Sequence, residues 1–213
     1  MKALLLADFY QAKKHCRMFI VMILVFIGVG ITQSSFFALY FPSAAMIFAG
    51  IIAMTLIAYD EQSHWDMYAQ TLPFTRQQIV SVKYLDALIF IGIVWVLLMV
   101  MLFIKAATGG IQWSTLPVLA PVYIGVGLLS PSLLLPVVFR YGMAKGRIVY
   151  IALVIIISSS GGILNSLGLI TEKNFHIPDV THFAIPFIFM AVAAALFALS
   201  WKLAIRWYEK REL

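Results

Sequence analysis

Apolar residues in this chain fall into runs of about 20, the length a helix needs to cross a hydrocarbon core roughly 30 Å thick. Six runs can be laid out: Met18 to Leu39, Pro42 to Tyr59, Tyr84 to Ala106, Leu116 to Phe139, Ile148 to Ile170 and Phe183 to Ile205. Each is continuously apolar and lacks the in/out alternation of a barrel strand, and a segment alone in lipid must satisfy its own backbone. The pattern predicts an all-α, polytopic membrane fold with six transmembrane helices over residues 18–213. Residues 1–17 differ. On a helical wheel Leu5, Phe9, Ala12 and Cys16 share a face while Gln11 and Lys14 point away. This predicts an interfacial elbow helix along the membrane surface, with a frayed basic tail as the alternative. Asp8 interrupts the short run Leu4 to Leu6 and no small-residue cleavage site follows, so the first span reads as retained.

Composition agrees. Of 213 residues, 63% are apolar and 11% charged, against roughly 45–50% and about 25% in a soluble domain, which leaves no room for a soluble catalytic domain. The net charge of +6 does not mark a nucleic-acid binder, because the basic residues sit at the ends of successive apolar runs rather than in one patch. Of the fifteen lysines and arginines, all but Lys105 and Lys173 fall on the side of the amino terminus. That asymmetry predicts a multi-pass protein of the cell membrane with both termini cytoplasmic. Trp113, Trp201 and Trp207 near span ends fit an interfacial belt, and the single cysteine, Cys16, excludes an intrachain disulfide.

The spans are almost free of charge: none occurs from Met18 to Tyr59, Leu116 to Phe139, Ile148 to Thr171 or Phe183 to Trp201. Ion-coupled carriers keep ionisable groups at membrane depth. Here Lys83 and Asp86 are expected at the inner end of span three and Lys105 at its outer end, where side chains snorkel. A self-powered carrier is therefore disfavoured. G-x-x-x-x-G-K-[ST], H-E-x-x-H and G-x-S-x-G are all missing, so no catalytic residue is assigned and ATP hydrolysis is not expected in this chain. His176, Asp179 and His182, three apart in the outer loop, have ligand chemistry, but Pro178 and an exposed loop favour a solvated reading, and no metal is expected.

The densest polar stretch joins spans two and three, from Tyr59 to Tyr84. Asp60 and Glu61 favour the amino-terminal end of a short helix, and Trp65, Tyr68 and Leu72 form a stripe at i, i+3 and i+7. Pro73 stops that helix. Thr75 and Gln78 make a T-x-x-Q capping box that starts a second helix through Arg76, Ile79 and Lys83 into span three. The residues alone allow a solvated interfacial hairpin or a docking element for a cytosolic partner.

Asp60, Glu61, Trp65, Tyr68, Leu72, Pro73, Thr75, Arg76, Ile79, Val80, Lys83 and Tyr84 together resemble the same loop in small ABC-2 type transporter permeases, similar to those of antimicrobial-peptide and phenol-soluble modulin exporters. The resemblance implies an ABC-2, type V exporter-like architecture. It makes 60–83 a coupling segment, with Asp60, Glu61, Trp65, Tyr68, Leu72, Pro73, Thr75 and Arg76 facing a separate cytosolic ABC ATPase subunit that binds ATP and Mg. It also implies a second permease copy or a sister permease, with the substrate path between them. The expected function is a permease subunit exporting an amphipathic substrate, peptide or lipid-like. The alternative is a non-transporting assembly or sensor subunit that recruits a cytosolic partner through the same segment.

Span four carries Pro117, Pro121, Pro131 and Pro136 with Gly125 and Gly127 between them. A kink or break is expected, lining a cavity or serving packing alone. Span five carries Ser158, Ser159, Ser160, Gly161, Gly162, Asn165 and Ser166, which favour close helix packing over a polar lining. Pro131, Ser132, Pro136, Ser159 and Asn165 are the candidate substrate path, and 171–182 a candidate re-entrant cap. An uncharged interior suits an amphipathic cargo, which loses less on desolvation than an ion; membrane lipid is the remaining expected partner, and no nucleic acid is.

Overall fold

The computed structural model describes residues 2–32, 37–63, 65, 75–152, 155 and 184–209. Its elements are α1 (Lys2–His15), α2 (Arg17–Thr32), α3 (Phe37–Gln62), α4 (Arg76–Ala107), a 3-10 turn (Trp113–Thr115), α5 (Leu116–Tyr141) and α6 (Ala184–Glu209), and residues 143–152 are also helical. Among the described residues there is no strand.

Among the described residues, four helices are long and apolar enough to cross a membrane: Tyr40–Gln62, Arg76–Ala107, Trp113–Tyr141 and Ala184–Glu209. The expected first span departs from this. α2 is described over 16 residues, about 24 Å of rise, less than a full core, and it meets α1 at a 73° bend. Cys16, fully buried, occupies the bend. Taken as one bent unit, α1 and α2 make a fifth candidate span. Most of the expected fifth segment, Ile148 to Ile170, lies outside the described residues, as do the 171–182 cap and the trio His176, Asp179 and His182.

The expected Thr75–Gln78 capping box is present: the Thr75 hydroxyl accepts from the Gln78 amide at 3.3 Å, and the Gln78 side-chain oxygen accepts from the Thr75 amide at 3.1 Å. It starts α4 at Arg76, and the helix runs on through Lys83 for 32 residues, as the sequence predicted.

Of the kink or break expected in span four, the break is absent. α5 is one continuous helix with Pro121, Pro131 and Pro136 inside it. Pro117 sits in its first turn, where no intrahelical donor is lost. The Gly127 carbonyl, which Pro131 cannot serve, has the Ser130 hydroxyl 3.3 Å away. α3 lies against this point so closely that a Cβ at Gly50 would stand 2.0 Å from Ser130 Oγ and 2.7 Å from Pro131 Cδ. α6 crosses α5 with equal closeness at Gly125, beside the Phe189 ring.

α4 and α6 are joined by an aromatic and polar seam. Tyr84, fully buried, stacks on Trp201 at 5.5 Å and 6°, and its hydroxyl is 2.8 Å from Ser200 Oγ. Trp201, expected in the interfacial belt, donates to Ser81 Oγ at 3.2 Å and so serves packing. Lys105, expected to snorkel outward, turns inward: it is buried, and its ammonium donates to the Gly30 carbonyl at 2.7 Å.

Candidate functional site

The end of the bundle at which the 60–83 segment leaves and re-enters holds a charged cluster. Ile79, Lys83 and Asp86 recur at i, i+4 and i+7 along α4, and all three are buried. Lys83 Nζ donates to Asp8 Oδ2 of α1 at 2.7 Å and lies 2.6 Å from Asp60 Oδ2 of α3. Gln11 Nε2 donates to Asp60 Oδ1 at 3.3 Å. Asp8, Asp60, Lys83 and Asp86 are 6%, 6%, 5% and 3% exposed, so one ammonium pairs with two carboxylates that water barely reaches, and a third, Asp86, is buried on the same helix as the lysine. Asp86 Oδ2 is buried and has no hydrogen-bond partner among the described residues. Charges removed from water are tolerated only when paired and hydrogen-bonded. Lys83 is thus the common partner that holds α1, α3 and α4 together.

Hydrogen bonds around the cluster tie in the other helix ends. Glu61 Oε2 accepts from the Met143 amide at 3.1 Å, at the start of the helical stretch 143–152, where a carboxylate meets a favourable dipole. The turn before it is made by Gly142 at φ 79°. Arg76 Nη1 donates to the Glu209 carbonyl at 3.1 Å and Gln77 Nε2 to the Glu209 carboxylate at 2.8 Å. The Arg140 guanidinium lies 4.6 Å above the Trp207 ring. The last turns of α3, α5 and α6 and the first turn of α4 therefore meet at one end. A groove of about 250 Å³ opens there, lined by Leu4, Ala7, Asp8, Gln11, Asp60, Ser63 and Trp65.

The expected partner-binding residues are placed unevenly. Asp60 and Glu61 do not begin a short helix; they belong to the last turn of α3, which continues past Tyr59 because Lys83 and the Met143 amide satisfy their carboxylates. Trp65 is half-buried against the core and lines the groove. Thr75 is exposed at the cap of α4, and Arg76 is half-buried beside Glu209. Tyr68, Leu72 and Pro73, with the break expected between Leu72 and Pro73, lie outside the described residues. Of the candidate substrate path, Pro131, Ser132 and Pro136 are buried within α5, Pro131 against Gly50; Ser159 and Asn165 lie outside the described residues.

Sequence reasoning did not find Asp8 as a site residue, nor Gln11. The face expected on α1 holds at Ala12 and Cys16, both buried, but shifts by one position before them: Leu4 and Asp8 are buried, while Phe9 is half exposed. The reason is the ion pair, which admits a carboxylate where the wheel asked for an apolar side chain. The available signal was Asp8 at i+4 from Leu4 and i−4 from Ala12, together with a lysine and an aspartate three apart just inside a span. The cluster offers neither an activated nucleophile nor, among the described residues, a group of three side chains placed to hold a metal ion. What it can do is transmit force between helices. No curated protein and no solved structure matches the chain. Residues 3–209 match a family model described as "ABC-2 family transporter protein".

Proposed function

The chain belongs to the ABC-2 transporter family and is a permease subunit of an ABC transporter, and from that premise we propose that it exports an amphipathic substrate, peptide or lipid-like, using ATP hydrolysed on a separate cytosolic ATPase subunit. That subunit binds ATP and Mg, and it grips the 60–83 segment through Trp65, Tyr68, Leu72, Pro73, Thr75 and Arg76. Two permeases, identical or sister chains, enclose the path between them. Both termini face the cytoplasm, and α1 is the interfacial elbow.

One observation carries this reading: the 60–83 segment is pinned at both of its ends, Asp60 and Lys83, by an ion pair of 2.6 Å that also holds α1. A solvated hairpin needs no such base. A lever does, because force applied to the segment then reaches α1, α3 and α4 together instead of being lost in local bending. The stretches 116–139 and 184–201, which carry no charge, support a cargo with apolar surface.

The test is copurification of the ATPase with Trp65→Ala and Tyr68→Ala permeases. Reduced copurification with normal membrane insertion is expected; unchanged copurification and transport would refute the assigned role. Cargo is tested by ATPase stimulation in the reconstituted complex. Stimulation by ions or sugars and not by amphipathic peptides or lipids would overturn the substrate class.

A further inference from the structure

A second groove, of about 380 Å³, runs between α2, α3 and the helical stretch 143–152. It has two chemically different ends. Its apolar length is walled by Phe19 of α2, Ile51 and Met54 of α3 and Ile151. Its other end, at the level of the ion cluster, carries Tyr59, Gln62 and Arg147. From Ile51 to Gln62 the helix rises about 16 Å, so apolar depth and polar mouth follow one another along the membrane normal.

The mouth is basic. Arg147 is exposed and makes no ion pair among the described residues. Two of the described acids at this end are already engaged, Asp60 with Lys83 and Glu61 with the Met143 amide. The Tyr59 ring lies 4.3 Å from that of His15, tilted by 39°, which brings the basic turn holding Lys13, Lys14 and Arg17 toward the same opening. A guanidinium next to an amide donor is a phosphate-binding arrangement, and here it caps an apolar groove. The volume sits at the low end of ligand sites, roughly 300–1,000 Å³, which admits a headgroup and the upper part of one acyl chain.

We propose that this groove is a binding site for an anionic phospholipid of the adjacent leaflet, with its phosphate on Arg147 and Gln62 and one acyl chain along Phe19, Ile51 and Met54. The lipid fills the space between α2 and the 143–152 stretch and neutralises Arg147. Gln62 belongs to the 60–83 segment, while the other lining residues, Arg147 among them, lie outside the surface proposed for the ATPase.

The test is native mass spectrometry of the full-length chain in detergent, offered phosphatidylglycerol and phosphatidylcholine together. The wild type is expected to retain phosphatidylglycerol preferentially. Arg147→Gln should lower that retention about fivefold, the effect of removing one basic contact near an anionic lipid. Lys145→Gln is the control, because that ammonium lies over the Tyr141 ring at 5.0 Å and does not line the groove; retention should be unchanged. Ala58→Phe, which fills the groove without altering charge, should lower retention of both lipids. Both Arg147 and Lys145 are exposed, and thermal unfolding in the same detergent confirms that the variants fold. Equal losses from Arg147→Gln and Lys145→Gln, no loss from Arg147→Gln, or full retention in Ala58→Phe would each overturn the site. So would displacement of the lipid by excess inorganic phosphate, which would identify a free anion as the ligand.

Discussion

Replacing Lys83 with methionine isolates what the ion cluster contributes. Methionine keeps most of the side-chain length and bulk while deleting the ammonium, so the packing of Ile79 and Tyr84 on either side is preserved. What is lost is the single donor shared by Asp8 at 2.7 Å and Asp60 at 2.6 Å. Asp8 and Asp60, each 6% exposed, then lose that donor, and Gln11 remains on Asp60. Breaking a buried pair from one side costs about 3–5 kcal/mol, a large part of the about 5–15 kcal/mol typical of a folded domain. Neutralising Lys83 together with its two paired carboxylates behaves differently, because replacing a buried ion group with uncharged side chains is often neutral or stabilising. Lys83→Met combined with Asp8→Asn and Asp60→Asn should therefore recover most of the loss. The assay is reversible unfolding in mixed micelles, followed by tryptophan fluorescence, on the wild type, the single variant and the triple variant. A single-variant loss below about 1 kcal/mol, or a triple variant no better than the single one, would refute the claim that Lys83 is a required partner of these carboxylates. Hydrogen exchange adds a local readout: amides of α1 should lose protection first in Lys83→Met.

Further expectations follow from other contacts. Gly50→Ala places a methyl group 2.0 Å from Ser130 Oγ and 2.7 Å from Pro131 Cδ, so it should destabilise by about 1–3 kcal/mol, and Ser130→Gly in the same chain should relieve part of this in the same unfolding assay. Thr75→Ala removes the hydroxyl half of the capping box; it should cost about 1 kcal/mol and raise amide exchange over the first turn of α4. Tyr84→Phe deletes the 2.8 Å bond to Ser200 and should cost about 1 kcal/mol, whereas Trp201→Leu loses both the bond to Ser81 and the stack on Tyr84 and should cost more. Burial pushes the Cys16 thiol up to about 11. At pH 8 roughly one thiol in a thousand is then thiolate, so maleimide labelling of the folded chain should be slow near neutrality and should accelerate as pH rises toward 11; rapid labelling at pH 7 would contradict the buried bend.

The parts of this structure that were legible in the sequence are those set by local chemistry. Long apolar runs marked the crossing helices, and Thr75 with Gln78 fixed the start of α4 to the residue. The parts that were not legible depend on partners remote in the chain. Asp8 read as an interruption in an apolar stretch because its neutralising lysine lies 75 positions away, which no helical wheel contains. Asp60 and Glu61 read as a helix beginning for the same reason: acidic residues near a helix end are unfavourable by the dipole rule, and only Lys83 and the Met143 amide reverse that preference. The prolines of α5 suggested a break because the rule counts lost donors and not the neighbouring serine that answers one of them. Lys105 was placed by its position in the run, while the carbonyl that receives it belongs to another helix.

The joining of α1 to α4 also fixes an order of events during synthesis. When α1 to α3 have left the ribosome, Asp8 and Asp60 exist but their counterion does not, so the Gln11–Asp60 and His15–Tyr59 contacts must hold the first helix against two unpaired buried carboxylates. Only after the chain has grown beyond residue 83 and the fourth helix has begun to enter the bilayer can the amino terminus lock onto the bundle. A nascent chain arrested before that point should leave its first fifteen residues open to protease, and one arrested after it should not.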